Sequence, residues 1–144
     1  MNADFEECLR RKKVWEFSRG KSLAEKELKT AEKDLSDGRE GIEREKYKWS
    51  TVQAYYSMFH SARALLYAKN YREKSHHCLI VALRSLYVDK KLLPNSLIES
   101  LQNGKSLRER ADYYDDWSKE GAESLLAAAE KFLNISKTLI AAKP

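Results

Sequence analysis

The sequence predicts an all-α protein, an antiparallel up-and-down bundle of about five helices. Three observations predict it. Apolar residues recur at spacings of three and four through most of the chain. Turn-forming residues are scarce, with five Gly and two Pro in 144 residues against a hydrophobic share of 42%; that balance argues against a sandwich of many short strands. The stretches between the periodic segments are short, which favours antiparallel neighbours.

The elements follow in order. Residues 1–21 form a basic arm or short helix, in which Phe5, Leu9, Val14, Trp15 and Phe17 lie among cations and Gly20 ends the segment. Residues 22–144 form the bundle. Ser22 and Glu25 have the spacing of a capping box, so a helix is expected to start there and run to about Leu35, with Leu28, Ala31 and Leu35 inward. Ser36-Asp37-Gly38 and Gly41 read as a loop. A long helix spans about Tyr47–Lys69, and Asn70 stops it. Ser75 caps a third helix over about Ser75–Asp89, with Leu79, Ala82, Leu83, Leu86 and Tyr87 toward the core. Leu93-Pro94 opens a fourth helix that buries Leu97, Ile98, Leu101, Leu107 and Ala111; Gly104 inside it costs about 1 kcal/mol relative to Ala. Asp112–Asp116 reads as a bend. The last helix, about Trp117–Ile140, presents Leu125, Leu126, Ala129, Phe132, Leu133 and Ser136.

The net charge of +5 permits contact with nucleic acid or an acidic partner without requiring it. Part of it is the run Arg10-Arg11-Lys12-Lys13, a run of a kind that is most often a solvated face. Cys8 and Cys78 lack the spacing of a disulfide framework or a zinc site, and read as two reduced thiols of a cytoplasmic protein. No signal peptide is expected, and no apolar run is long enough to span a membrane.

Two constellations carry possible chemistry. On the long helix, Trp49, Gln53, Tyr56, His60, Arg63 and Tyr67 recur at helical spacing beside the apolar stripe of Val52, Tyr55, Phe59, Ala62 and Leu66. An aromatic stripe carrying Gln, His and Arg suggests a polar seam against another helix, a second subunit or a ligand. The second constellation is 107–116, where Arg108 and Arg110 suit phosphate and tyrosine rings suit bases; the alternative is internal ion pairing with Asp112, Asp115 or Asp116. His76 and His77 are adjacent, so they point apart; they read as one surface imidazole and one hydrogen-bonding group at a helix start. No metal site and no cofactor motif is expected.

The runs AYYSMFHSARALL (54–66), KSHH (74–77) and RERADY (108–113), with the Ala-rich helix ending AEKF (129–132), together resemble the HEPN domain over about residues 22–140. The resemblance implies a helical bundle that pairs as a homodimer. It also implies a frequent partner, a minimal nucleotidyltransferase, in toxin–antitoxin-type systems. In active relatives an Arg and a following His form a metal-independent ribonuclease site at the dimer interface. Here Tyr113 stands at the place of that His. Tyrosine, with a pKa near 10, is a poor general base at neutral pH beside an imidazole near 6.5.

The reading that follows is a module that dimerises and binds a nucleotide, RNA or the nucleotidyltransferase. Its candidate phosphate-binding residues are Arg108, Arg110, Asp112, Tyr113, Tyr56, His60 and Arg63. The first alternative is a metal-independent endoribonuclease with a variant site, whose candidate catalytic residues are Arg108, Tyr113 and His60. The second is a scaffold without ligand, in which Tyr56, His60 and Arg63 are buried and bonded to one another.

Overall fold

The structure is a computed structural model and describes residues 2–142. Among the described residues, six α-helices and one two-stranded antiparallel ribbon follow in the order α1 (Ala3–Arg10), β1 (Val14–Glu16), α2 (Gly20–Glu43), α3 (Tyr47–Tyr67), β2 (Tyr71–Glu73), α4 (His76–Leu83), α5 (Asn95–Tyr114) and α6 (Lys119–Ala141). A π-helical turn, Arg84–Val88, continues α4. The five long or central helices, α2 to α6, make the expected all-α bundle.

α3 is the central helix, packed by α2, α5, α6, α4 and β2. Its small buried residues explain why. Ser50, Ala54, Ser57, Ser61, Ala62 and Ala64 let neighbouring backbones approach. Ser50 Oγ donates to the Gly38 carbonyl at 2.9 Å and Ser57 Oγ to the Ala31 carbonyl at 2.8 Å. Seven residues forward on α3 match seven back on α2, which is the register of an antiparallel pair. The core between the helices is filled by Met58, Leu65, Leu66, Leu79, Leu83, Ile98, Leu101 and Phe132, all fully buried.

Several local expectations are corrected. The loop expected at Ser36–Gly41 is helix, because α2 continues to Glu43. Gly38 and Gly41 face α3; a Cβ on Gly38 would stand 2.7 Å from Leu126 Cδ2, and one on Gly41 would collide with Ser50 Oγ. Ser22 does not cap α2: the helix starts two residues earlier, and Ser22 Oγ donates to the Arg19 carbonyl at 2.7 Å. Gly20 opens α2 rather than ending the arm. Ser75, by contrast, caps α4, accepting from the Cys78 N–H at 3.1 Å. α5 runs through the expected bend to Tyr114 and stops where Asp115 turns left-handed at φ 53°.

The N-terminal residues add features that the periodicity did not suggest. β1 pairs with β2, with Trp15 opposite Arg72. Cys8 on α1 and Cys78 on α4 are joined in a disulfide, with Cα atoms 5.9 Å apart, so the expectation of two reduced thiols is overturned. Two cysteines 70 residues apart carry no local signal of pairing; the docking of α1 on α4 brings them together. Among the described residues no helix is long and apolar enough to cross a membrane.

Candidate functional site

The polar line along α3 is divided among different neighbours. At its C-terminal end Tyr67 is buried, its ring 5.2 Å from that of Phe17. Arg63 turns to β2, where its Nη2 donates to Glu73 Oε2 at 2.5 Å while its guanidinium lies 4.6 Å from the Phe59 ring. Burial works against the Arg63 charge, but the carboxylate of buried Glu73 more than offsets it, and the pKa is raised. His60 turns the other way, to α2. Its Nδ1 is 2.7 Å from Glu27 Oε2 and its Nε2 is 3.9 Å from Asp34 Oδ2. Burial raises the Asp34 carboxyl, with His60 opposing the rise. Tyr56, His60 and Arg63 are therefore half-buried but not bonded to one another.

Tyr56 meets α5. The Arg108 guanidinium lies 5.4 Å from the Tyr56 ring and 5.5 Å from that of Tyr113. Arg108 Nε is 3.0 Å from Asp112 Oδ2, one turn along the same helix, although its N–H is not aimed at a hydrogen-bond acceptor. Helical spacing explains Arg108–Asp112, since residues four apart share one side of α5; the long Arg108 side chain reaches the Tyr113 ring from a neighbouring side.

Arg110 is closed by the chain reversal after α5. The left-handed Asp115 lets the Asp116 N–H donate to the Arg110 carbonyl at 3.0 Å, and the Asp116 carboxylate then accepts from Arg110 Nη2 at 2.6 Å. Lys48 Nζ, beside the exposed rings of Trp49 and Trp117, is 3.2 Å from Asp115 Oδ1. Arg108, Arg110 and Lys48 thus each have a carboxylate of their own.

The structure brings Tyr56, Arg108, Asp112 and Tyr113 together. It sends His60 and Arg63 to other partners, and it places Arg110 on the ion pair with Asp116. It also adds His76, which the adjacent-histidine argument set aside. His76 Nδ1 lies 3.4 Å from the Tyr55 hydroxyl, and its Nε2 is buried without a partner. Burial first, and Lys105 second, push its pKa down. Burial pushes Tyr55 up to about 12. Tyr55 neighbours Tyr56, with ring centroids 5.3 Å apart, so an imidazole stands two rings away from Arg108. The Ser75 cap marks His76 as the start of a helix, but no local signal says which residue of α3 it meets. Among the described residues no group of His, Cys, Asp and Glu could hold a metal ion.

The sequence has counterparts among known proteins. The HEPN domain family model matches residues 24–139. Two proteins of Methanocaldococcus jannaschii, both named "Putative toxin", are similar: one is 33% identical over 114 residues, 78% of this chain and 85% of its own length. The other is 31% identical over 135 residues, 92% and 91%. A protein of Archaeoglobus fulgidus is 30% identical over 115 residues, 78% of this chain and 91% of its own. Matched from the second turn of α2 to the last turn of α6, and alike in sequence to these archaeal proteins over most of their length, the chain belongs to the HEPN-domain family.

Proposed function

We propose that this chain is the HEPN component of a toxin–antitoxin-type system and that it acts by binding. It pairs as a homodimer along the face shared by α3 and α5, around Tyr56 and Arg108, and a nucleotidyltransferase partner engages the same end of the bundle. The names of the two M. jannaschii relatives support the toxin class. The observation that carries the binding face is the Arg108 guanidinium shared by the rings of Tyr56 and Tyr113. Half-exposed Tyr and Arg on a rigid helical surface are the side chains that anchor protein interfaces. The exposed Trp49, Trp117, Tyr113 and Tyr114 extend that surface.

The charge balance favours a protein over a phosphate as the occupant of this face. A phosphate at Arg108 or Arg110 competes with the carboxylate of Asp112 or Asp116, whereas a protein surface can pack over the ion pairs. Tyr113 at the position of the active relatives' His makes catalysis through that motif unfavourable at neutral pH.

Light scattering at micromolar concentration tests the proposal. A dimer is expected, weakened at least tenfold in Tyr56→Ala and Arg108→Ala. A wild-type monomer, or a dimer indifferent to both changes, overturns it. One observation favours a second reading, a metal-independent endoribonuclease with a variant site: the buried and unpartnered Nε2 of His76 two rings from Arg108. RNA cleavage by wild type that disappears in both Arg108→Ala and His76→Asn supports that reading; no cleavage across structured and unstructured RNAs removes it.

A further inference from the structure

The ribbon at the C-terminal end of α3 turns one face, with exposed Trp15 and Arg72, to solvent among the described residues. Partners across an antiparallel ribbon share a face, and successive residues alternate between faces. Val14 and its partner Glu73 are buried and point inward. Trp15 and its partner Arg72 therefore point outward. The alternation continues on both sides. The Lys74 N–H donates to the Lys13 carbonyl at 2.8 Å and the Phe17 N–H to the Asn70 carbonyl at 2.7 Å. The outer face reads Lys13 and Trp15 on one edge and Lys74 and Arg72 on the other; Phe17, its ring packed on Tyr67, and the left-handed Asn70 close its end.

Its electrostatics are unlike those of the α5 region. Lys13, Arg72 and Lys74 make no ion pair among the described residues. Of the two carboxylates on the ribbon, Glu73 is committed to Arg63, and Glu16 is exposed at the ribbon's end, where it borders a cavity rather than pairing with Lys13, Arg72 or Lys74. Arg11 and Lys12, in the turn before β1, are exposed and unpaired in the same sense. The aromatic component is available too: Trp15 is 38% exposed, and the Arg72 guanidinium lies 5.4 Å from the Phe17 ring. Beside it an open cavity of about 310 Å³ is bordered by Glu16, Phe17, Lys69 and Asn70.

We propose that this outer face of the ribbon binds single-stranded RNA, with bases stacking on Trp15 and on the Arg72 guanidinium and with Lys13 and Lys74 on the phosphates. Unneutralised cations interleaved with rings suit a polyanion that carries flat bases. Trp15 and Arg72 are partners across the ribbon, about 5.5 Å apart at Cα, further than the ~3.4 Å per nucleotide of a stacked duplex strand, so the platform fits unstacked bases. At the cavity Glu16 offers a carboxylate and Asn70 its side-chain NH2, its Oδ1 accepting from the Lys21 N–H, to a ribose 2′-hydroxyl, which DNA lacks. The proposal does not depend on the α3–α5 reading. β1 lies outside the residues that the HEPN family model matches.

Fluorescence anisotropy with a labelled oligouridine, at low and moderate salt, tests it. Trp15→Ala and Arg72→Ala are expected to weaken binding by roughly tenfold each, and Trp15→Phe to retain most of it. The double change Lys13→Ala/Lys74→Ala is expected to lower the salt slope by about 1.4. Lys33→Ala, at an exposed cation of α2 paired with Asp37, is expected to bind as wild type. The proposal is overturned by no binding at low salt, by binding unaffected in the ribbon variants, or by binding lost only in Arg108→Ala. Equal affinity for the matching DNA strand overturns the choice of RNA, and a preference for duplex overturns the stacking geometry. Arg72→Glu, at an exposed position, carries the test should Trp15→Ala unfold.

Discussion

The guanidinium of Arg108 on α5 lies 5.4 Å from the ring of Tyr56 on α3. Tyr113 supplies a second ring to the same cation at 5.5 Å. Burial works against the charge of Arg108, but Tyr56, Tyr113 and Asp112 more than offset it, and its pKa is raised. The contact ties the end of α5 to the middle of α3 at a half-exposed position, where a surface ion pair alone would contribute little.

Removing the cation should therefore loosen α5. Arg108→Ala is expected to lower stability by about 1–2 kcal/mol, which is a fall of roughly 2–6 °C in Tm for a chain of this size. Arg108→Lys keeps the charge but loses the planar stack, and should recover less than half of that. Thermal melts of the three proteins decide it; equal melting of Arg108→Ala and wild type would mean that the rings hold α5 without the cation.

His76 makes stability depend on pH. Its imidazole is held below the ordinary 6.5 by burial first and Lys105 second, so below that pH the folded state binds fewer protons than the unfolded one. The contribution is whole above the unfolded value and is lost as pH falls beneath it. Urea midpoints at about pH 8 and about pH 5 should show wild type losing more on acidification than His76→Asn. Identical losses in the two proteins would remove His76 as the cause.

Much of the bundle is legible in the sequence because helical spacing is local. The ion pairs of α5 are legible for the same reason: Arg108 and Asp112 are one turn apart. What needs a partner is not. Gly38 and Gly41 read as a loop, since glycine marks both turns and close helix packing, and only their neighbours in the fold, Leu126 on α6 for Gly38 and Ser50 on α3 for Gly41, distinguish the two. The ribbon strands have three residues each, too few for a period to show. The polar line of α3 is visible, but its division among Glu27, Glu73 and Arg108 depends on how three other elements sit around it.

The helical glycines should not respond alike to alanine. In an open helix Gly→Ala gains about 1 kcal/mol. A Cβ at Gly104 would meet the end of the flexible Met58 side chain at 2.8 Å, so Gly104→Ala should change stability by less than about 1 kcal/mol. A Cβ at Gly20 would stand 2.5 Å from the Tyr67 carbonyl oxygen and 3.1 Å from Asn70 Cα, both backbone. Gly20→Ala should cost about 2 kcal/mol or more by forcing α2 and α3 apart. Denaturant unfolding of the pair checks the ranking, and a reversed order would contradict the packing.

Reduction of the Cys8–Cys78 bridge should release α1 before anything else. α1 has eight residues, too few to persist alone, and it packs chiefly on α4 and β1. Phe5 and Cys8 are its buried residues, a small apolar anchor against the entropy of ordering the segment at about 1–2 kcal/mol per residue. The bridge spans 70 residues of chain, and in the chain-entropy account a loop of that length contributes roughly 4 kcal/mol at most. Adding a dithiol reductant should therefore lower Tm and speed hydrogen exchange of the α1 amides, while amides in the middle of α3 stay protected under native conditions. Cys8→Ser should behave as the reduced protein does and should no longer respond to the reductant. Uniform loss of protection across α1 and α3 would instead make the bridge a support of the whole bundle. Two free thiols in protein denatured without reductant would mean that α1 is held by Phe5 and the ribbon alone.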